Sequence, residues 1–310
     1  MASKPAMPKE RVELLDRAWT LAAELYAAEL VPRFDPWLKS GLQELQKHAL
    51  PPGPLLVPCC GPGHELPLLH KLYGGVRRVV GLDLSRGMVD LALREIDAYE
   101  REQRLQGAGA AAGLEAVVAD ASCLDAFASA AAVFSVFGLQ QLGALAPQAL
   151  ASWVRCLAPG GVAVVVLWPS VVEQSGPWQA YDQVLLEKAA GDAGRPMPAP
   201  DASAQAPPQE WEVRLTEAAL SEVEGAELLV DRLQAHPIHW PSAERFWEVM
   251  TEGGPWRARR LVAGDAAMAE LGGRVVAKLG GGRPLEHAPS ARILVLRRRP
   301  EPGASPASAL

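Results

Sequence analysis

LLVPCCGPGHEL, residues 55–66, reads as a short apolar strand that runs into a glycine turn and then into a helix. Gly61 and Gly63 lack a Cβ, so the turn can take positive φ and a ligand can lie against bare backbone. Downstream, RRVVGLDL over residues 77–84 gives a second apolar strand that ends in Asp83. Strand, glycine turn, helix and a second strand closing on an acid make half of a nucleotide-binding βαβ unit. A carboxylate at that tip suits a ribose, because it can accept from both hydroxyls. A G-x-G alone says little; its place between strand and helix, with an acid at the right distance, carries the reading.

The chain has 310 residues, enough for one large α/β domain with additions or for two small domains. Hydrophobic residues make up 49% against 21% charged, which supplies a sizeable core. A formal net charge of −6 argues against a nucleic-acid partner, which needs phosphate neutralisation. The basic clusters at residues 257–260 and 297–299 read as solvated helix and strand ends. Four cysteines, Cys59, Cys60, Cys123 and Cys156, show no C-x-x-C spacing and two are adjacent, so neither a zinc knuckle nor a disulfide framework is expected. Lys4 and Lys9 are followed by no apolar signal-peptide region, and no apolar run is long enough for a membrane span. The expectation is a soluble, cytoplasmic protein in a reducing compartment.

Residues 9–31 place Leu14, Ala18, Leu21, Ala22, Leu25 and Tyr26 near one helical face, and Pro32 is expected to stop that helix before Asp35-Pro36 starts another. Both precede the sheet and can sit over its active edge. Residues 64–73 read as a helix ended by Gly74-Gly75, and Ser85 as the N-cap of a helix from residue 86 to about 105. Further strands are expected at 114–120, ending in Asp120, at 130–138, and at 162–168 after a Pro159-Gly160-Gly161 turn, with a helix over 147–157. Five strands alternating with helices predict a doubly wound α/β sheet. Beyond them, helices are read at 176–190 and 210–223, loops at 107–113 and 194–209, and a sixth strand over 227–239. A helix from Ser242 through Met250, another restarting at Pro255, and a last strand at 292–298 complete the chain before a tail expected to be disordered.

With the last strand placed, the chain resembles the class I S-adenosylmethionine-dependent methyltransferases, in particular the small-molecule enzymes of the ubiquinone/menaquinone-methyltransferase type. The resemblance rests on residues 55–63, on VGLDLSRGM (80–88), on ADASC (119–123), on FSVFGL (134–139), on LAPGG (157–161) and on WPSAERFWEVMTEGGPWR (240–257). It implies a seven-stranded Rossmann-like sheet with N-terminal helices and a helical cap before the last strand. The divisions expected are an N-terminal helical lid (1–50), a cofactor-binding core (51–169), a variable helix and Pro/Ala-rich loop (170–225), a segment that completes the domain (226–299) and the tail (300–310). Relatives commonly carry an acid where this chain has Val57, a first glycine where it has Cys59, and an acid near Ala131.

The same resemblance implies the cofactor S-adenosylmethionine and a small-molecule acceptor. Cys59, Gly61 and Gly63 are expected beside its methionine part, Asp83 on the ribose, Leu84 and Met88 around the adenine, and Asp120 with Ala121 at the adenine edge. Phe134 and Ser135 are expected near the methyl group, and Tyr26, Gln140 and His239 toward the acceptor. No histidine sits in a triad or an H-E-x-x-H spacing, so no catalytic base and no metal site are read. His64 is expected to cap or support its helix. Two other readings stay open: a degenerate domain that binds a cofactor or partner without catalysis, motivated by Val57, Cys59 and Ala131, and a nicotinamide oxidoreductase. The latter lacks a third glycine at Leu66 for tight helix–strand packing at a pyrophosphate.

Overall fold

The computed structural model describes residues 7–73, 77–107, 113–192 and 209–300. Its strands are β1 (Leu55–Pro58), β2 (Val79–Asp83), β3 (Leu114–Val118), β4 (Ala130–Val136), β5 (Leu157–Leu167) and β6 (Ala226–Ala235), then β7 (Ile238–Trp240), β8 (Leu285–His287) and β9 (Ser290–Arg298). Seven of them form one sheet in the order β3-β2-β1-β4-β5-β9-β6. The pairs among β1 to β5 are parallel, while β9 runs antiparallel between β5 and β6. The order reverses at β1, where the crossovers part to opposite faces and leave a crevice at the strands' C-terminal ends.

Alternate side chains of each strand feed two cores. Leu56, Val133 and Val165 pack on one face with α5 (Ala146–Arg155) and α8 (Leu215–Glu222). Leu55, Val57 and Phe134 pack on the other with α2 (Val31–Gln46), α3 (Glu65–Leu72) and α4 (Arg86–Leu105). Because both faces are covered, β5 is a continuous apolar run along VAVVVL. A third, aromatic core joins α2 to α9 (Ala243–Glu252) through Phe34, Trp37, Trp168, Trp240 and Phe246. The remaining helices are α1 (Lys9–Leu25), α6 (Pro177–Asp192), α7 (Glu210–Val213), α10 (Arg257–Ala263) and α11 (Asp265–Lys278).

Several expectations need correction. Pro32 does not stop the first helix: α1 passes through a π-turn, Tyr26–Leu30, straight into α2. Pro32 falls in the first turn of α2, where the missing N–H breaks little, and the wider π-turn before it takes up the ring. The expected strand over 227–239 is two elements, because Pro237 cannot donate to a ladder and the chain leaves the main sheet there. β7 pairs instead with β8 in a two-stranded sheet. The helix over 210–223 is split at Arg214 into α7 and α8. Pro159-Gly160-Gly161 is a bulge within β5 rather than a turn before it, with the pairing jumping from Ala130↔Leu157 to Ala132↔Val162 and Gly160 at φ +83°. Gly74 and Gly75, nearly all of the loops expected at 107–113 and 194–209, and the tail beyond residue 300 lie outside the described residues.

Within the basic clusters, Arg257 and Arg260 both bond Glu252, Arg297 and Arg299 share Glu227, and Arg298 bonds the carbonyls of Arg155 and Leu157. Among the described residues, no helix is long and apolar enough to cross a membrane.

Candidate active site

One cavity opens at the crevice beside the C-terminal ends of β1 and β2, roofed by α1, the π-turn and α2. It holds about 1020 Å³ of atom-free space, open solvent at its mouth included. Asp83, the last residue of β2, stands at its head. Its Oδ2 accepts from the N–H of Gly61 and its Oδ1 from the N–H of Ser85, each at 2.9 Å, so one carboxylate ties the two turns together. Burial pushes its pKa up, against the pull of the Ser85 and Gly61 N–H groups. The Leu84 N–H adds to that pull, and the carboxylate lines the cavity.

The two glycines of the turn do different work. Gly61 (φ +51°) has open space where a Cβ would stand. Gly63 (φ +78°) is pressed against α4, where a Cβ would lie 2.6 Å from the Cβ of Ala92; it supports helix packing and does not line the cavity. Cys59 takes the left-handed conformation at φ +55°, one a glycine would adopt more readily, and its side chain packs onto Gly138. A Cβ on Gly138 would stand 2.4 Å from that of Cys59. Burial, with Asp83 and Asp120 adding, holds the Cys59 thiol protonated. Val57 and Ala131 are fully buried in the core and do not line this cavity.

Leu84, Met88, Asp120 and Ala121 line the cavity, as does Tyr26 from the π-turn. Asp120 accepts from the N–H of Ser122 at 2.8 Å, and the carbonyl of Ala121 accepts from the indole of Trp153 at 2.8 Å. Phe134 and Ser135 do not line it. Phe134 is buried against Gly41 of α2, and the Ser135 hydroxyl donates to the carbonyl of Pro58 at 2.9 Å, fastening β4 to β1. β4 ends at Val136, two residues short of the expected 138, and Val136, Phe137 and Gly138 reach the cavity instead. Gln140 donates its amide to the carbonyl of Phe137 at 2.6 Å and faces away, while Gln141 lines the cavity. His239 is exposed on β7, away from the cavity, its carbonyl accepting from Arg33 at 3.3 Å. His64 makes no capping hydrogen bond and lines the cavity wall.

Residues beyond the expected set also line it, among them Glu65, Asp35, Trp19 and Phe137. The signal for Glu65 is its place in ELPLL, a carboxylate in an otherwise apolar helical turn whose Leu66 and Leu69 are core. Four carboxyl groups (Asp35, Glu65, Asp83, Asp120) face this space, and among the described residues no lysine or arginine does. Burial raises the Glu65 pKa to about 8, its own backbone N–H opposing and Asp83 adding. Burial, with Glu65 and Asp83, also keeps the Tyr26 phenol protonated. Among the described residues, no cluster of side chains is suited to a metal ion.

The roof is fastened to the cofactor side of the sheet. Asp16 of α1 accepts from the N–H of Arg86 at 3.0 Å, and Thr20 from that of Gly87 at 3.1 Å. These side chains satisfy the open donors of the α4 N-terminus, with Ser85 accepting from Met88 at 3.3 Å. Farther along, Glu29 bonds both Arg33 and Arg245 of α9, and the Arg33 guanidinium lies 4.2 Å from the centre of the Trp240 ring. Phe137 stacks on Trp168 at 4.2 Å and meets Phe34 of α2 edge-on at 4.9 Å.

Residues 56–161 match the family model described as a methyltransferase domain. No curated protein matches the chain in sequence. Among solved structures, the cyclopropane synthase MmaA2 from Mycobacterium tuberculosis is similar at a TM-score of 0.53 and 15% identity, covering 95% of this chain and 100% of that one. A putative methyltransferase from Bacillus halodurans C-125 matches at a TM-score of 0.49 and 14% identity over 84% of this chain and 99% of its own. At such identities the likeness to MmaA2 speaks for the fold.

Proposed function

We propose, for a chain that belongs to the class I S-adenosylmethionine-dependent methyltransferases, that the cavity under α1 and the π-turn takes the cofactor together with a small-molecule acceptor. The observation that carries this reading is Asp83, held by the Gly61 and Ser85 N–H groups at the head of an open cavity that its carboxylate lines. We assign Asp83 to the ribose hydroxyls, Asp120 and Ala121 to the adenine edge, and Leu84 and Met88 to its apolar faces. Gly61 and Cys59 pass the chain beside the methionyl part. Gly63, Phe134 and Ser135 support these residues from behind.

The residues fit the group chemically. A cavity lined by carboxyl groups and, among the described residues, by no lysine or arginine suits a ligand that carries positive charge, and the space at Gly61 admits it. When bound, S-adenosylmethionine supplies a methyl group on a sulfonium whose leaving group is a neutral thioether. What remains for the chain is alignment and exclusion of water, which the roof of α1, the π-turn and α2 provides. No catalytic base is assigned, since the Tyr26 phenol is held protonated. Toward the acceptor, Tyr26, Gln141 and His64 are the polar groups within a largely aromatic and aliphatic wall of Trp19, Phe34, Phe137 and Leu142. That wall favours an acceptor with an apolar body, in keeping with the ubiquinone/menaquinone-type resemblance. We read the protein as cytoplasmic and as having no nucleic-acid partner, on the grounds that its four cysteines show no disulfide or zinc spacing and its formal net charge is −6.

The test is ligand-dependent stability. At 100 times its dissociation constant the cofactor adds roughly 2.7 kcal/mol to folding, so the melting temperature rises by several degrees. An unchanged melting temperature at millimolar S-adenosylmethionine would refute the reading.

A further inference from the structure

We infer that Glu65 is the counter-charge for the ammonium group of the cofactor's methionyl part, acting from the first turn of α3. The inference rests on the cavity taking S-adenosylmethionine, as proposed above. With the ribose on Asp83 and the adenine toward Asp120, the methionyl part runs back along the glycine turn. Glu65 stands two residues beyond that turn and lines the same cavity.

Its surroundings are unusual for a carboxyl group. Glu65 is only 8% exposed, and its neighbours Leu66 and Leu69 belong to the core. Among the described residues no cation pairs with it, and its own backbone N–H is the hydrogen-bond donor it has. The groups that face it from other elements are acids or weak acids: Asp83 at the end of β2, Cys60 in the turn after β1, and Tyr26 on the π-turn. Asp35 of α2, Asp120 after β3 and the neighbouring His64 share the cavity. A buried carboxyl without a partner is costly unless something completes it. In the ligand-free protein it stays largely neutral at pH 7, one unit below its raised pKa of about 8. An incoming ammonium favours the ionised form, so binding expels a proton to solvent. Protonated Glu65 donating to the ligand's carboxylate is the competing arrangement, and it releases no proton.

The experiment is calorimetric titration of the full chain at pH 7 in two buffers of different ionisation heat. The probes are S-adenosylhomocysteine, which carries the amino-acid part, and 5′-methylthioadenosine, which lacks it. We expect release of close to one proton with the first and none with the second. Glu65→Gln should abolish the release and weaken S-adenosylhomocysteine binding by ten- to a hundredfold, leaving 5′-methylthioadenosine binding unchanged. No proton release from the unaltered protein overturns the inference, as does release that persists in E65Q or an equal loss for both probes. Should E65Q fail to fold, the contrast between the probes in the unaltered protein decides alone. Failure of the unaltered protein to bind either probe points instead to the cofactor reading itself.

Discussion

Both oxygens of Asp83 are engaged by N–H groups of the two turns it bridges, so its replacement has two consequences. Asp83→Ala should weaken cofactor binding about ten- to a hundredfold, since a hydrogen bond to a charged group contributes roughly 1.5–3 kcal/mol. It should also lower the melting temperature, because the Gly61 and Ser85 donors lose their acceptor; titration and thermal unfolding of one variant read both. The adjacent glycines separate stability from binding. Gly63→Ala puts a Cβ 2.6 Å from Ala92 at φ +78° and should destabilise the fold by several kcal/mol. Gly61→Ala meets open space, so a loss of about 1 kcal/mol for its positive φ should accompany a larger loss of affinity. Glu65 gives a pH signature. Its folded pKa is raised to about 8, so between roughly pH 5 and 8 the native state holds a proton that the unfolded chain has released. Stability should therefore fall as pH rises through that window, by at most about 1.4 kcal/mol per unit. Denaturant midpoints of Glu65→Gln should show a flatter profile, and an unaltered slope would mean that the titrating group lies elsewhere.

At the scale of elements, α1 matters through the N-terminus of α4. Asp16 and Thr20 satisfy backbone donors that an isolated α4 would leave open beside the Asp83 turn. Replacing both by alanine should cost about 1–2 kcal/mol and loosen cofactor binding, although neither side chain lines the cavity. Amide exchange at Arg86 and Gly87 checks this: faster exchange in the double variant, with the rest of α4 unchanged, is the expected result. This contact between helices distant in sequence has no local signal. The pieces with local signals were readable: the glycine turn after β1, the acid closing β2, the Ser85 cap and the buried run of β5. The elements misjudged were decided by context. Pro32 is a helix breaker by local rule, yet a π-turn absorbs it. At the tip of β4 the motif was visible, but which of Phe134, Ser135 and Phe137 faces the ligand depends on where the strand stops. Glu65 carries little signal in the sequence, because a charged residue in a first helical turn is ordinarily solvated.

Across the whole molecule, α1, the π-turn and α2 meet α9 over the sheet through Glu29, Arg33, Arg245 and the rings of Phe34 and Trp240. Removal of residues 1–31 takes away Trp19, Tyr26 and Leu30 along with the α4 cap. The sheet, built from residues 55–298, should persist by circular dichroism while cofactor retention and turnover are lost. A truncated protein with full methyl transfer would make the roof dispensable. The central claim is more specific: the crevice where the strand order reverses holds S-adenosylmethionine, read by Asp83 on one side and Asp120 on the other. A crystal structure of the complex with S-adenosylhomocysteine tests it most directly. The account predicts the ribose hydroxyls on the Asp83 carboxylate, the adenine between Leu84 and Asp120, and the amino-acid part along Gly61 toward Glu65. A ligand bound elsewhere, or a ribose that leaves Asp83 untouched, would contradict it.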